Sequence, residues 1–173
     1  MRPNITLILH NIRSTHNVGS LFRTAEGFGV TGIILSGYTP YPDLRLIGQP
    51  DPRLPHISEK LTAQIHKTAL GAEMMVPFVR HETLEEWLLK NEAGETLPLI
   101  ALEQSDRSVL LPDFTPPPAF ALLLGEEVAG ISDEHLTRCQ HIVEIPMYGQ
   151  KESFNVSVAA GVALYGLTHR QPH

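Results

Sequence analysis

Three polar loops of the sequence carry the side chains that could take part in chemistry. They read NIRSTHNVGSLFR, LLLGEEVAGIS and IPMYGQKESFNVS, and each contains or follows an apolar, strand-like run. Open α/β sheets bind their ligands outside the carboxyl ends of the strands. The loops offer amides, hydroxyls, carboxylates and arginines, which suit a polar or anionic ligand. If the three loops meet in the fold, they predict one site.

In the first loop, Asn17 and Arg23 lie six residues apart on either side of Gly19. Asn17 is placed at or near the start of a helix, Arg23 about two turns further on, and Gly19 allows close approach of the backbone. An ordinary alternative remains open, because asparagine is a favoured helix N-cap and exposed arginines are common.

The other two loops also have ordinary alternatives. Gly125 and Gly130 bracket two glutamates, which could be a glycine turn with solvated acids. Ser153 and Asn155 are expected to begin a helix whose free N–H groups could receive an anion, or they could simply cap it.

Several common chemistries are excluded by the residue inventory. The sequence has no GxxxxGK[ST] phosphate loop, no HExxH zinc helix and no GxGxxG dinucleotide turn. Its nine histidines lack metal-ligand spacing, and Cys139 is the only cysteine, so we predict no metal site and no disulfide. A reducing compartment, and hence a cytoplasmic location without a membrane span, is expected.

Apolar runs alternate with helical patterns along the chain. Strands are predicted at Ile5–Leu9, Thr31–Gly37, Met74–Val79, Leu97–Gln104, Ala119–Glu127 and His141–Met147, and helices at 17–28, Leu61–Leu70, 83–92, just after Ser132, and Ser153–His169. The near-continuous apolar strands predict an α/β fold with a sheet covered on both faces. At 173 residues, a single domain over 1–173 is expected.

The net charge of −6 argues against a simple nucleic-acid-binding module, but it hides an asymmetry. Residues 1–67 carry seven Lys or Arg against four Asp or Glu, and residues 68–173 carry six against fifteen. The basic side of the molecule therefore lies early in the chain.

Taken together and in order, the loops resemble the three motifs of the SpoU family of RNA ribose methyltransferases, in the SPOUT superfamily. Asn17, Gly19 and Arg23 match N-x-G-x-x-x-R, and Gly125, Glu127 and Gly130 match G-x-E-x-x-G. The third motif, IPM followed by SLNVS, is matched with one change, since Phe154 replaces the usual leucine. The motifs span nearly the whole chain.

The resemblance implies a SPOUT-type parallel sheet flanked by helices, a deep trefoil knot in the C-terminal part, and a homodimer. It also implies S-adenosylmethionine as cofactor, bound around Leu102, Gly125, Ile145, Met147 and Ser153.

The implied reaction is methylation of a ribose 2′-hydroxyl in a structured RNA, with tRNA favoured over rRNA. The implied catalytic residues are Arg23, Asn17, Glu127, Ser153 and Asn155. From the basic early region we expect Arg13, Arg45, Arg53 and Lys60 to bind RNA. No accessory RNA-binding extension is recognised, which leaves room for an accessory protein.

Two other functions stay open at this point. One is a noncatalytic RNA-binding dimer that keeps the fold and the cofactor pocket. The other is an α/β enzyme of another class, such as a nucleotide-dependent one, which the missing phosphate and dinucleotide loops disfavour.

Overall fold

The computed structural model describes residues 2–94 and 96–169, which form one seven-stranded sheet flanked by helices. All strand pairs are parallel, and the order is β3-β2-β1-β6-β4-β7-β5. The strands are β1 Asn4–His10, β2 Gly32–Ser36, β3 Phe78–Arg80, β4 Leu99–Leu102, β5 Val109–Leu110, β6 Ala119–Leu124 and β7 His141–Glu144. The helices are α1 Thr15–Gly27, α2 Pro55–Ala69, α3 Leu84–Ala93, α4 Asp133–Arg138 and α5 Val156–Thr168. The predicted α/β class and parallel sheet are confirmed, and the trefoil knot stays a prediction.

Each face of the sheet has its own apolar core. One core joins alternate β1 residues, such as Leu7 and Leu9, to α1, α2 and α5, and the other joins Ile8 to α3 and α4. Side chains of successive strand residues point to opposite faces, so a strand buried on both faces is apolar throughout. The central β6 follows this rule, because Phe120 to Leu124 are all buried.

Some predicted boundaries differ from the structure. The helix predicted at Leu61–Leu70 begins at Pro55, where the missing N–H of proline costs nothing at the first helical position. The strand predicted at Met74–Val79 was wrong in its first half. Ala72–Met74 forms a 3₁₀ turn, and β3 begins only after Pro77.

The last helix begins at Val156 rather than at Ser153, because the Asn155 side chain caps it by accepting a hydrogen bond from the Ser157 N–H at 2.9 Å. Ser153 therefore lies in the preceding loop. The predicted strands at 97–104, 119–127 and 141–147 are each shorter at their carboxyl ends, where polar loops start. The two-residue β5 was not predicted.

The strand order brings the three polar loops together. β6 pairs with β1 on one side and with β4 on the other, and β4 also pairs with β7. Since parallel strands end at the same edge, the loops after β1, β4, β6 and β7 are neighbours there.

Candidate functional site

A cleft of about 270 Å³ lies at this edge, between the loops after β4, β6 and β7 and the start of α5. All five residues predicted to bind the cofactor line it: Leu102, Gly125, Ile145, Met147 and Ser153. They come from three separate segments, at or just after the carboxyl ends of β4, β6 and β7. Their meeting in one cleft therefore reflects the fold rather than closeness in sequence.

The cleft wall combines apolar and acidic side chains. Leu124 and Val156 add to the apolar part, and the acids include Glu103, Glu126 and Glu144. Glu103 accepts hydrogen bonds from the Ile131 N–H at 3.0 Å and the Gln104 N–H at 2.9 Å, so it also ties the two loops together. An apolar wall with carboxylates suits a ligand that has a planar apolar part and a positive charge.

The glycines of the second loop are required by its tight shape. Gly130 has a φ of 68°, and its N–H donates to the Glu126 carbonyl at 2.9 Å. A Cβ on Gly125 would lie 2.7 Å from the Gly130 carbonyl carbon, and one on Gly130 would lie 2.4 Å from Glu103 Oε2. Larger residues at either position would therefore widen the loop that frames the cleft.

Three of the predicted catalytic residues form one hydrogen-bonded chain beside the cleft. Asn17 Nδ2 donates to Glu127 Oε1 at 2.9 Å, and Asn155 Nδ2 donates to Asn17 Oδ1 at 3.2 Å. Asn155 Oδ1 in turn accepts from the Ser157 N–H and hydroxyl. The chain connects all three loops and fixes the amide orientations.

Glu127 is held in its ionised form. Burial alone would raise its pKa, but hydrogen bonds from the Asn17 side chain and from backbone N–H groups, including that of Arg13, outweigh burial and lower the pKa below its ordinary value. A carboxylate that accepts several N–H bonds is stabilised in this way. Glu127 therefore acts as a fixed acceptor that joins the first loop to the second.

Two details of the first loop differ from the sequence interpretation. Ser14, not Asn17, caps α1, and its hydroxyl accepts a hydrogen bond from the Asn17 N–H at 3.3 Å. Gly19 faces α2, where an added Cβ would lie 2.2 Å from the Ile65 carbonyl oxygen. Gly19 therefore allows α1 and α2 to pack closely. Because Ser14 caps the helix, the Asn17 side chain can hydrogen-bond to Glu127 instead.

Arg23 lies apart from the other predicted catalytic residues. It is exposed on α1 and does not line the cleft, and its side chain makes no hydrogen bond or ion pair with another described residue. Six residues of helix place it about 9 Å along the axis from Asn17 and on a different side. Its neighbour Thr24 lies against Gly161, so Arg23 is close to α5.

The four arginines and lysines expected to bind RNA have different surroundings. Arg13, Arg45 and Lys60 are exposed. Arg45 also pairs with Asp43, whose pKa the Arg45 hydrogen bond lowers to about 2. The Arg53 side chain is only 14% exposed. It binds Asp51 and the carbonyls of Tyr41 and Pro42, so it holds the loop before α2 and is not available at the surface.

The sequence interpretation missed Ser14, Tyr38 and Arg80 near this edge. Ser14 precedes the first helical residue and could have been recognised as a cap. Tyr38 and Arg80 lie at the carboxyl ends of β2 and β3, so the rule that located the three loops could have located them as well.

Within the described ranges 2–94 and 96–169, no three His, Cys, Asp or Glu residues are grouped closely enough to hold a metal ion. Over the same ranges, none of the helices has the length and apolar character needed to cross a membrane.

Known proteins are similar to this chain in sequence, and solved structures are similar to it in fold. The 23S rRNA (guanosine-2′-O-)-methyltransferase RlmB of Coxiella burnetii is 32% identical over 166 residues, which cover 94% of this chain and 57% of that protein. RlmB of Nitrosomonas europaea is 33% identical over 165 residues, covering 94% of this chain and 55% of the relative. The chain thus spans a little over half the length of these relatives.

The solved structure of the SpoU methyltransferase AviRb from Streptomyces viridochromogenes, in complex with AdoMet, superposes with a TM-score of 0.74. The identity is 24%, and the match covers 96% of this chain and 57% of AviRb. An AdoMet-bound rRNA methyltransferase from Sinorhizobium meliloti gives a TM-score of 0.76 at 23% identity, covering 96% of this chain and 56% of that one. These structures share the fold.

The model of the SpoU rRNA Methylase family matches residues 54–165, a range that holds the second and third loops and all the residues that line the first cleft. The first loop precedes this range. Since the match covers more than half of the 173 residues, the resemblance noted in the motifs is confirmed, and the chain belongs to the SpoU rRNA Methylase family.

Proposed function

We propose that this protein transfers a methyl group from S-adenosylmethionine to a ribose 2′-hydroxyl of a structured RNA. One observation carries the proposal: the residues matched to the family's cofactor site line one cleft, and the Asn17–Glu127–Asn155 chain borders it. The RlmB relatives are named as guanosine-2′-O-methyltransferases, which supports the same reaction.

S-adenosylmethionine suits the residues that line the cleft. Leu102, Ile145 and Met147 provide an apolar wall for the adenine, and the acidic side chains Glu103 and Glu126 favour a positively charged ligand. When bound, the cofactor supplies a methyl group on a sulfonium.

The roles of the chain's own residues follow from their chemistry. Arginine stays protonated in proteins, so Arg23 cannot serve as a literal base for the hydroxyl proton. We assign it to binding the adjacent phosphate and stabilising the developing alkoxide, while the proton leaves through water or a neighbouring group. Asn17 and Asn155 orient the ribose, Ser153 contacts the cofactor or substrate, and Glu127 fixes both loops.

Arg23 lies outside the cleft, so its role requires a second copy of the chain. α5 exposes an apolar stripe of Val158, Val162 and Tyr165, at spacings of four and three residues, next to the α1 face that carries Arg23. Such a stripe beside a catalytic arginine suits a homodimer interface. In this arrangement Arg23 lies at the interface, where it can act on a site shared by the two copies.

Arg13, Arg45 and Lys60 form the proposed RNA surface, and Arg53 supports the loop beneath them. Neutralising RNA phosphates with such residues makes binding depend on salt. We place the protein in the cytoplasm, where an accessory protein could add RNA affinity.

The test is methyl transfer with purified protein, S-adenosylmethionine labelled in its methyl group, and total tRNA and rRNA from cells that lack the gene. The RNA is digested to nucleosides, and the labelled product is identified by mass spectrometry. A labelled 2′-O-methylated nucleoside that is absent with Arg23→Ala supports the proposal and names the RNA. Transfer to tRNA would support the substrate expected from the family resemblance, and transfer to rRNA would support the substrate for which the RlmB relatives are named.

Calorimetric titration of the cofactor separates the alternatives. Cofactor binding without transfer to either RNA supports the noncatalytic RNA-binding dimer. Neither binding nor transfer contradicts the proposed function.

A further inference from the structure

A second cleft, of about 570 Å³, opens at the carboxyl ends of β1, β2 and β3. Three arginines line it, Arg13, Arg53 and Arg80, together with Tyr38 and Tyr41, and no lining residue is acidic. Asp51 neutralises Arg53, and Arg13 meets Glu126 at the rim. Arg80 has no ion-pair partner among the described residues. The cleft is therefore positively charged in a protein of net charge −6.

Arg80 has unused hydrogen-bonding capacity inside this cleft. Its Nη2 donates to the Gly37 carbonyl at 2.7 Å, while Nε and Nη1 are buried and have no acceptor among the described residues. Buried guanidinium N–H groups without acceptors are rare, because each one loses its hydration. The planar fork of Arg80 is thus suited to an anion with more than one oxygen, such as a phosphate.

Tyr38 provides a flat surface at the mouth of the cleft. Tyr38 is 51% exposed, and its backbone N–H donates a hydrogen bond to Asn11 Oδ1 at 3.2 Å. The Tyr41 ring is already covered, since the Arg53 guanidinium lies 3.6 Å from its centroid. The Arg13 guanidinium approaches the Tyr38 ring less closely, at 5.8 Å from its centroid, so Tyr38 is the ring more open to stacking.

The two clefts share a wall. The Arg13 N–H donates to Glu127 at 3.2 Å and its guanidinium to Glu126 at 2.8 Å, and both glutamates line the first cleft. Arg13 and Ser14 line the second cleft from the other side. The two clefts are therefore neighbours, which suits a polynucleotide with one nucleotide at each.

We propose that the second cleft binds an RNA nucleotide adjacent to the methylated one, with its base stacked on Tyr38 and its phosphate held by Arg80 and Arg13. This inference rests on the proposed function. Stacking on an aromatic ring accepts any base, and charge contacts to phosphate add no sequence preference. The cleft thus selects for an extended, unpaired nucleotide beside the target, so we expect a loop of the RNA as substrate.

The first measurement compares KM for the methyl-accepting RNA among four proteins: wild type, Tyr38→Ala, Tyr38→Phe and Leu89→Ala. Leu89 is exposed on α3 and lines neither cleft, so it is the matched control. Loss of one stacked base is expected to raise KM about fivefold or more with Tyr38→Ala. Tyr38→Phe keeps the ring and is expected to match wild type, and cofactor affinity is expected to be the same in all four.

The second measurement does not depend on catalysis. The NMR signal of the Arg80 Nε–H is followed in wild type and Tyr38→Ala during titration with a single-stranded RNA pentanucleotide of mixed sequence, and separately with inorganic phosphate. We expect the pentanucleotide to shift the signal at lower concentration than phosphate, and Tyr38→Ala to remove that advantage.

The outcomes separate the two proposals. If wild type methylates RNA but Tyr38→Ala has the KM of Leu89→Ala, the nucleotide site is overturned and the proposed function stands. If wild type methylates no RNA but the pentanucleotide shifts Arg80 in a Tyr38-dependent way, the proposed function fails and the nucleotide site stands. Equal responses to phosphate and pentanucleotide overturn the nucleotide site.

Discussion

Glu127 uses both carboxylate oxygens to hold the first loop. Oε1 accepts from the Asn17 side chain, and Oε2 accepts from the Arg13 N–H. For this role, the negative charge of Glu127 matters less than its capacity to accept two hydrogen bonds at once.

The first prediction follows from that double role. In Glu127→Gln one of the two acceptors becomes an NH₂ group that faces a donor, so the Asn17–Asn155 chain is disturbed. Losing a partly buried hydrogen bond costs about 1–3 kcal/mol, and we expect kcat/KM for methyl transfer to fall about tenfold to a hundredfold. Glu134→Gln is the control, since Glu134 is exposed on α4 and lines neither cleft. Equal losses in both variants would contradict the role of Glu127.

A second prediction concerns His10 at the end of β1. Burial lowers the pKa of His10 to about 4, with a smaller contribution from His135 that Glu85 partly opposes. The unfolded chain takes up a proton near pH 6.5, while the folded protein does so only near pH 4, so stability falls as the pH drops between these values. In His10→Gln this loss is reduced. A pKa lowered from 6.5 to about 4 corresponds to about 3 kcal/mol at pH 4, so we expect the fall in Tm from pH 7 to pH 4 to shrink by roughly 6–12 °C.

Circular dichroism melts across this range check the prediction. His16→Gln serves as the control, because His16 is exposed on α1. The same pH profile in wild type and His10→Gln would be inconsistent with a half-buried, neutral His10.

At the scale of elements, α1 and α2 pack closely because Gly19 has no side chain. A Cβ there would meet the Ile65 carbonyl at 2.2 Å and the Thr68 hydroxyl at 2.1 Å. The Thr68 hydroxyl also donates to the His16 carbonyl at 2.9 Å, so it cannot easily turn away.

Gly19→Ala is therefore expected to destabilise the protein by about 1–3 kcal/mol, because backbone atoms must shift. Gly27→Ala in the same helix is the matched control, since an added Cβ there has nothing within 4 Å. Its expected effect is neutral to about 1 kcal/mol of stabilisation, from the better helix propensity of alanine. Urea unfolding of both variants measures the difference, and equal midpoints would refute close packing at Gly19.

The sequence was informative about the interior of each element and less so about its ends. Apolar periodicity identified α1, α3 and the central strands correctly, because one face or both faces of each are buried. The start of α2 at Pro55 and the delayed start of β3 depend on proline and on tertiary hydrogen bonds, such as that from the Ile33 N–H to the Pro77 carbonyl. Such long-range pairing leaves no local periodic signal.

At the scale of the whole molecule, the proposed homodimer gives a direct test. Val162 is 39% exposed in the middle of the α5 stripe, and a charge there would be buried without a partner in a dimer. We expect wild type to sediment at about twice the 19.1 kDa of the chain and Val162→Glu to sediment as a monomer without methyl transfer. Leu89→Glu on α3 is the control for an added surface charge. A dimeric Val162→Glu would place the interface elsewhere.

The site was predictable where motif residues follow strands, and less so where it depends on how strands are ordered. The residues of the first cleft could be named because three loops match family motifs in order. The second cleft needs β1, β2 and β3 side by side, since Arg80 lies 43 residues beyond the Gly37 carbonyl that it contacts. For Arg23 the opposite holds: the sequence motif identified the residue, but it did not reveal that Arg23 lies outside the first cleft.

The position of β1 has a consequence for how the protein is made. β1 lies between β2 and β6, and Asn4 pairs with Ala119, so one edge of the first strand waits for residues that are synthesised much later. At about 5–20 residues per second, the ribosome takes roughly 6–23 s to add the intervening 115 or so residues. During that time the nascent chain presents an apolar strand with an open edge, which is the kind of segment that pairs with other chains. Slower translation initiation, or binding of a chaperone to the nascent chain, is therefore expected to raise the soluble yield. Both reduce contact between the unpaired β1 strands of different chains.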